Sequence, residues 1–541
     1  MNRSLMFIML LTIGMLAQPL LASTYFVDAV DGKDTYNGLG KESPFKTLAK
    51  VRSLHLQPGD TILLANGRIF DGTLQLKNVA GTKDNPVVIA NYGRETIGLP
   101  IIDAKGFANG ILLENCSHIS VSNIEITGDG GGKPANNDMR CGVLISATES
   151  ATYENIHLRK LVVRDIFIEQ KGFQRGESEV RTANGTQHYG WGIRCISQLE
   201  DAVMKDLIIE DCEIKNVAHT GIKFTGRNKN IHQVKLSGNT VLETGGPGIQ
   251  MSGVQNGHIH NNIVDHSGSN NDSRKWGRGS GLWTWGCSHI LIEKNEFRNA
   301  NGPGDSAGCH IDFNCDNVIV QYCVSENNAG GFCEILGNNY NCAYRYNVSI
   351  NDGYRVKKKG VAFQEGKIFW LSGFNGKNQK RKGPFNSYFY NNTIYVKSDI
   401  EAKFAIDRAS KGALLANNIF YIEGNSKMVL GDQYKPDVPG ESLVENIVFK
   451  NNLFLRPDNW PKEIQIQEEK PLIGNPNFKN KSGKNPTDFI PQNTQLIKDK
   501  GIEIPKIHGD ELGLFLGLKV EHDIMGNPIH GLPDLGAIEV N

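Results

Sequence analysis

The sequence predicts an all-β chain wound as a parallel β-helix, a solenoid, and three observations carry that prediction. The first is repetition. The stretch Val318-Ile-Val-Gln-Tyr-Cys-Val-Ser-Glu-Asn-Asn328 returns as Cys342-Ala-Tyr-Arg-Tyr-Asn-Val-Ser-Ile-Asn-Asp352, with Tyr322 answered by Tyr346 and Ser325 by Ser349, both 24 residues on. A period of roughly 20 to 30 residues marks a solenoid. The second is alternation: Ile222 and Phe224, or Val318 and Val320, flank polar residues as strands require, and the i, i+3, i+4, i+7 spacing of helical repeats is missing. The third is punctuation. Sixty glycines and abundant asparagines divide the chain into short β-branched runs, which reads as many strands joined by tight turns. Asparagines at equivalent turns stack from coil to coil and bond their neighbours, which accounts for a residue otherwise poor in strands.

The elements follow in order. Residues 1–22 carry Arg3, an apolar run from Leu5 to about Leu16, and small residues at Ala22 and Ser23. This reads as a signal peptide cut near Ala22, so the protein is expected to be secreted or periplasmic; an uncleaved anchor is the alternative, though the run barely spans a bilayer. Residues 23–541 are expected to form one domain. Within it, residues 43–67 should hold a short helix that caps the open end of the core, coils should run from about 60 to 455, and residues 456–541 should form a C-terminal cover. No later segment is long and apolar enough to cross a membrane.

Bulk properties exclude some classes. Lys plus Arg and Asp plus Glu both number 58, so no global field favours nucleic acid or an anionic membrane. The ten cysteines are too few for a disulfide scaffold and lack the paired spacing of a zinc site; they are expected as small buried core residues. No cofactor is called for. Calcium stays open, because Asp129-Gly-Gly-Gly132 and the scattered acids show no calcium-loop spacing.

The inside of each coil is filled by apolar residues, so function must lie on outward side chains. Aligning the runs after the glycine-rich turns places Arg194, Lys223, Gln250, Trp283, His310, Glu334 and Arg355 one coil apart on one face. A second row two residues on holds Thr225, Ser252, Trp285, Asp312 and Lys357. Neighbours in a row should lie about 4.8 Å apart, giving an exposed polar and aromatic strip roughly 30 Å long. Indoles beside charges suit a carbohydrate groove, where sugar faces stack on tryptophan and hydroxyls find hydrogen bonds. Two basic insertions, 169–192 with Arg175, Arg181, His188 and Tyr189, and 353–385, would wall the strip and attract an acidic polysaccharide or oligosaccharide, uronate-containing or sulfated. The enzyme is expected to act as a monomer.

The N-terminal run, the capping segment, the coils and the terminal Asp534-Leu-Gly-Ala-Ile-Glu-Val540 resemble the secreted right-handed parallel β-helix family of polysaccharide lyases, glycoside hydrolases and epimerases. The resemblance covers nearly all of the mature chain. The Asn-Thr-Asp and Gly-His-Gly signatures of polygalacturonases are absent, and Asn262-Ile-Val-Asp-His-Ser267 only echoes the pectate lyase motif. Fold analogy does not supply the reaction. Elimination at a uronate, by a lyase or a dehydratase, is the first expectation. Arg194 or Arg355 would hold the carboxylate, and Lys223, His310 or Tyr189 would take the proton, with Glu334 and Asp312 orienting His310 or binding hydroxyls. Gln250, Trp283, Trp285, Lys357 and His219 complete the expected binding set. The alternative is hydrolysis by a carboxylate pair, Asp312 and Glu334. A non-catalytic glycan-binding or adhesion β-helix is the third reading.

Overall fold

A computed structural model describes residues 22–128, 140–166, 189–268, 277–429, 444–461 and 468–540. Over these residues the chain is a right-handed parallel β-helix. Three sheets of 15, 12 and 14 strands run the length of the molecule, with each strand hydrogen-bonded to its equivalents one coil before and one coil after. One coil shows the unit. Cys309–Ile311 lies in the second sheet, Asp316–Gln321 in the first and Val324–Glu326 in the third. A turn then leads back to the second sheet at Gly331–Ile335.

Inward residues of all three sheets meet in one continuous core; Ile222, Phe224, Ile249, Met251, Leu282 and Ile311 are all fully buried. The glycines at the starts of second-sheet strands have a steric cause. A Cβ at Gly192, Gly221, Gly248 or Gly281 would lie 2.5, 2.7, 2.7 or 2.4 Å from the carbonyl oxygen of the equivalent glycine in the next coil. Only glycine lets coils approach this closely at that corner.

Asparagine stacks hold the corners between the first and third sheets. The Asn262 Oδ1 accepts from the backbone N–H and the amide of Asn239, and Asn295 does the same for Asn262. The stack resumes through Asn347, Asn392, Asn418 and Asn452 and ends on Glu468, whose carboxylate accepts from Asn452. Cys212 and Cys323 occupy rungs of the same stack. All ten cysteines are buried thiols.

Both ends are closed. The helix Leu48–Arg52 buries Leu48 and Val51 in the first coils, and the Thr47 side chain caps its N-terminus by accepting from the Lys50 N–H. At the other end, residues 474–540 turn back along the outside. Their apolar residues Phe478, Phe489, Leu535 and Ile538 pack on outer residues of the third sheet, and Ile507 and Leu514 pack on outer residues of the first. No helix among the described residues is long and apolar enough to cross a membrane.

Candidate active site

The outward row of the second sheet is present in the register read from the sequence. Arg194 pairs with Lys223, Lys223 with Gln250, Gln250 with Trp283 and Trp283 with His310. Ile311 pairs with Ile335, which puts Glu334 beside His310. In the second row Thr225 pairs with Ser252 and Ser252 with Trp285, and Asp312 follows, its backbone N–H bonded to the Thr284 carbonyl.

Two features of the expected strip are corrected. The row is not open to solvent. His310 is 0% exposed, Glu334 4%, Trp283 4% and Lys223 8%, while Trp285, at 40%, is a large aromatic on this face that stays open. The cover comes from turns between the third and second sheets, which fold over the row instead of ending at the strand. Arg355 and Lys357 also leave the row. Trp370 is the residue paired with Glu334, because residues 353–366 are an insertion that precedes the strand Lys367–Leu371. The 21-residue spacing that placed Arg355 one coil after Glu334 counted part of that insertion as strand.

Three turns between the third and second sheets build the surroundings of His310. The first supplies Arg278, whose Nε pairs with an Asp305 oxygen at 3.1 Å and whose guanidinium lies 5.2 Å from the Trp283 ring. The second, residues 299–308, supplies Asp305. The third, residues 351–366, supplies Arg355 and Gln364. The Gln364 amide donates to Asp305 Oδ1 at 2.7 Å, and Arg355 donates to the carbonyls of Gly302, Gly304 and Gln364. His310 Nδ1 is 3.0 Å from the Ser280 hydroxyl, and its ring meets Trp283 edge-on with centroids 5.3 Å apart. The His310 Nε2 and the Glu334 Oε1 are buried without a hydrogen-bond partner among the described residues.

Electrostatics divides the three carboxyls. Burial drives Asp312 up to about 7, and the charge on Asp305 adds to the rise against the pull of Arg278. Glu334 is pushed well above the carboxylate range by burial and then by Asp305. Asp305 is buried too, yet Arg278, His310, the Gln364 hydrogen bond and Arg355 outweigh that cost and hold it below its ordinary value. His310 is lowered to about 4 by burial. Near neutral pH the cluster therefore holds a charged Asp305, a protonated Glu334, an Asp312 close to the middle of its titration, and a neutral imidazole.

A second group sits at the other end of the row. Arg194 lies 4.2 Å and the Lys223 ammonium 5.8 Å from the Trp191 ring centroid. His219 packs against the same indole at 4.9 Å and is 2.9 Å from the Thr220 hydroxyl. Burial and then Arg194 lower Lys223 to about 7. Lys223 and His310 are three coils apart, roughly 14 Å on the strand spacing, so they do not form one catalytic group. Tyr189 begins the strand Tyr189–Ser197; its side chain, with Arg175, Arg181, His188, the 129–132 stretch and the N-terminal run, lies outside the described residues. Among the described residues no group of three or more His, Cys, Asp or Glu is placed to hold a metal ion.

Asp305, Arg278, Gln364 and Trp191 were not singled out in the sequence. A carboxylate inside the glycine-rich Gly302-Pro-Gly-Asp-Ser-Ala-Gly308 was the available signal, since acids in such turns are ordinarily solvated and this one precedes an outward histidine by five residues.

The family described as the right handed beta helix region matches residues 192–394. Over 624 aligned residues the chain is 23% identical to a lacto-N-biosidase of Bifidobacterium longum subsp. longum, covering 96% of this chain and 36% of that protein. The chain thus spans about a third of the length of the curated relative it matches. Among solved structures it is similar to the GH136 lacto-N-biosidase from Eubacterium ramulus, at 22% identity and a TM-score of 0.55, over 75% of this chain and 68% of that one. This last likeness is one of fold.

The expectation of elimination at a uronate is corrected by these findings. The curated relative, aligned over nearly the whole chain, is named as a glycosidase. Of the residues assigned to elimination, Arg355 spends its guanidinium on backbone carbonyls, while Arg194 is the row neighbour of Lys223, which stands three coils from His310.

Proposed function

We propose that the chain is a glycoside hydrolase acting on an oligosaccharide laid along the second sheet, with Asp305 and Asp312 as its carboxylate pair. The observation that carries this is their opposite protonation: Asp305 is held charged and Asp312 holds its proton up to about pH 7. Hydrolysis of a glycosidic bond needs one carboxyl to protonate the leaving oxygen and another, ionised, to act as base or nucleophile. Asp312 and Glu334, the pair suggested by the sequence, are both raised and would supply two acids and no base. In this reading Asp312 is the acid and Asp305 the charged partner. Glu334, kept neutral, donates to a sugar hydroxyl, while His310 Nε2 and Gln250 Oε1, both without a hydrogen-bond partner among the described residues, bond further hydroxyls, the Gln250 oxygen as an acceptor. Trp285 offers an exposed ring for a sugar face. The lacto-N-biosidase relative makes a lacto-N-biosyl unit the first glycone to try, and the N-terminal run supports export.

The test is turnover of aryl lacto-N-bioside and a panel of related aryl glycosides and oligosaccharides. Asp305→Asn and Asp312→Asn should each lower kcat by about 10²–10⁴-fold, and Asp312→Asn should keep more activity on substrates whose leaving group needs no proton. Undiminished turnover in either variant would remove the assignment.

A further inference from the structure

The geometry points to Gln364 as a positioning residue for Asp305, delivered by the 353–366 insertion and locked there by Arg355; this rests on the hydrolase reading above. The Asp305 carboxylate is gripped from two sides. Arg278 holds Oδ2 at 3.1 Å from the equivalent turn one coil before, and the Gln364 amide holds Oδ1 at 2.7 Å from the equivalent turn two coils after. A side-chain amide has a donor end and an acceptor end, and its neighbours decide which end faces the carboxylate. Here Arg355 decides it. Its Nη2 lies 3.4 Å from the Gln364 Oε1, so the carbonyl end is engaged by a cation and the NH₂ end is left for Asp305.

The same guanidinium ties the two turns together. Arg355 Nε donates to the Gln364 carbonyl at 2.8 Å and Nη1 to the Gly302 carbonyl at 2.8 Å, with a further bond to Gly304. Gly302 and Gly304 flank the approach to Asp305 in sequence, so the arginine fixes the turn that carries the carboxylate to the turn that carries its donor. The base of the insertion is pinned in turn by Lys403, whose ammonium donates to the Arg355 carbonyl at 3.0 Å and pairs with Glu365 at 2.7 Å. Gln364 is 1% exposed and Asp305 5%. In such surroundings a hydrogen bond to the charged carboxylate favours the ionised form, so Gln364 orients the reactive oxygen and, with Arg278, holds the carboxylate charged.

The experiment compares Gln364→Leu with the full-length wild type by two readouts. In kcat/KM against pH, the acid limb should move up by about one pH unit, and kcat should fall roughly tenfold with KM within about threefold, because a donor to the ionised form is removed. In thermal melts from pH 2 to 7, the Asp305 share of the stability lost on acidification, read against Asp305→Asn, should be smaller in Gln364→Leu and should be complete about one unit higher. The melts need no substrate. If the wild type turns over no glycoside, the hydrolase reading fails and the melts still decide whether Gln364 sets the Asp305 charge. If Asp305→Asn is inactive while Gln364→Leu shows an unmoved acid limb and wild-type melts, the hydrolase reading stands and the positioning role is overturned. Arg355→Lys, which keeps the charge and loses the fork, should give a smaller shift in the same direction and serves if Gln364→Leu does not fold; an unmoved limb and melt profile in it would overturn the proposal equally.

Discussion

A carboxyl group held neutral by burial makes the folded state less stable as the pH rises. Asp312, at about 7 in the fold against 3.8 for an ordinary aspartate, binds its proton more tightly folded than unfolded between those values. Stability must therefore fall as pH climbs through that window and stay low above it. Asp312→Asn removes the penalty, so its stability relative to wild type should improve by roughly 3 kcal/mol between pH 4 and pH 8, measured by denaturant unfolding at each pH. The opposite sign applies to Asp305, whose lowered value contributes stability above the ordinary carboxylate range that is lost only in strong acid. Together the two predict a bell-shaped kcat/KM profile that rises below about pH 4 and falls near pH 7, read directly from initial rates. At this scale the sequence showed which side chains point outward, because alternation along a strand is a local property. It did not show that His310 and Glu334 would be buried, since the covering groups, Arg278, Asp305 and Gln364, come from three different turns.

Coils are held in register by short elements whose side chains bond the next copy of themselves. Asn392 shows how much one rung carries: it accepts from the Asn347 N–H and amide and donates to Asn418 Oδ1 and to the Tyr344 and Tyr390 carbonyls, all of them buried. Asn392→Ala leaves the buried Asn347 N–H without its acceptor and removes two further donations to buried carbonyls, so it should cost about 2–4 kcal/mol. An equilibrium unfolding curve checks this, and Asn425→Ala, outside the stack, is a suitable comparison. The stacks were legible in the sequence from the spacing of asparagines after each strand. The register beyond Glu334 was not. Glycine and arginine in Gly353-Tyr-Arg-Val356 imitate the start of another strand, and an insertion changes the count without changing the local pattern. Trp370 takes the slot because it follows a glycine at the true corner, Gly366, and bonds as the next strand of the sheet.

Over the whole molecule, the returning segment 474–540 decides which face remains for function. It lies on the outer residues of the first and third sheets and is tied to coil after coil: Asn341 and Tyr388 to Asp510, Arg345 to the Gly517 carbonyl, and Asn391 to the Asp534 and Gly536 carbonyls. The outer face of the second sheet is left to the turns that build the site. Leu535, fully buried in this layer, should cost about 2–5 kcal/mol on replacement by alanine, and thermal melts should show the loss while the acid limb of the rate profile stays in place. The sequence by itself determined that the chain winds into stacked coils, which residues fill them and which row faces outward. These follow from alternation, glycine corners and asparagine rungs, each a local or one-coil relation. Only the tertiary structure decided that Asp305, Asp312 and Gln364 meet around His310. Their separation is set by how turns of unequal length fold across the sheet, and the charge each carries depends on burial and on cations that other coils supply.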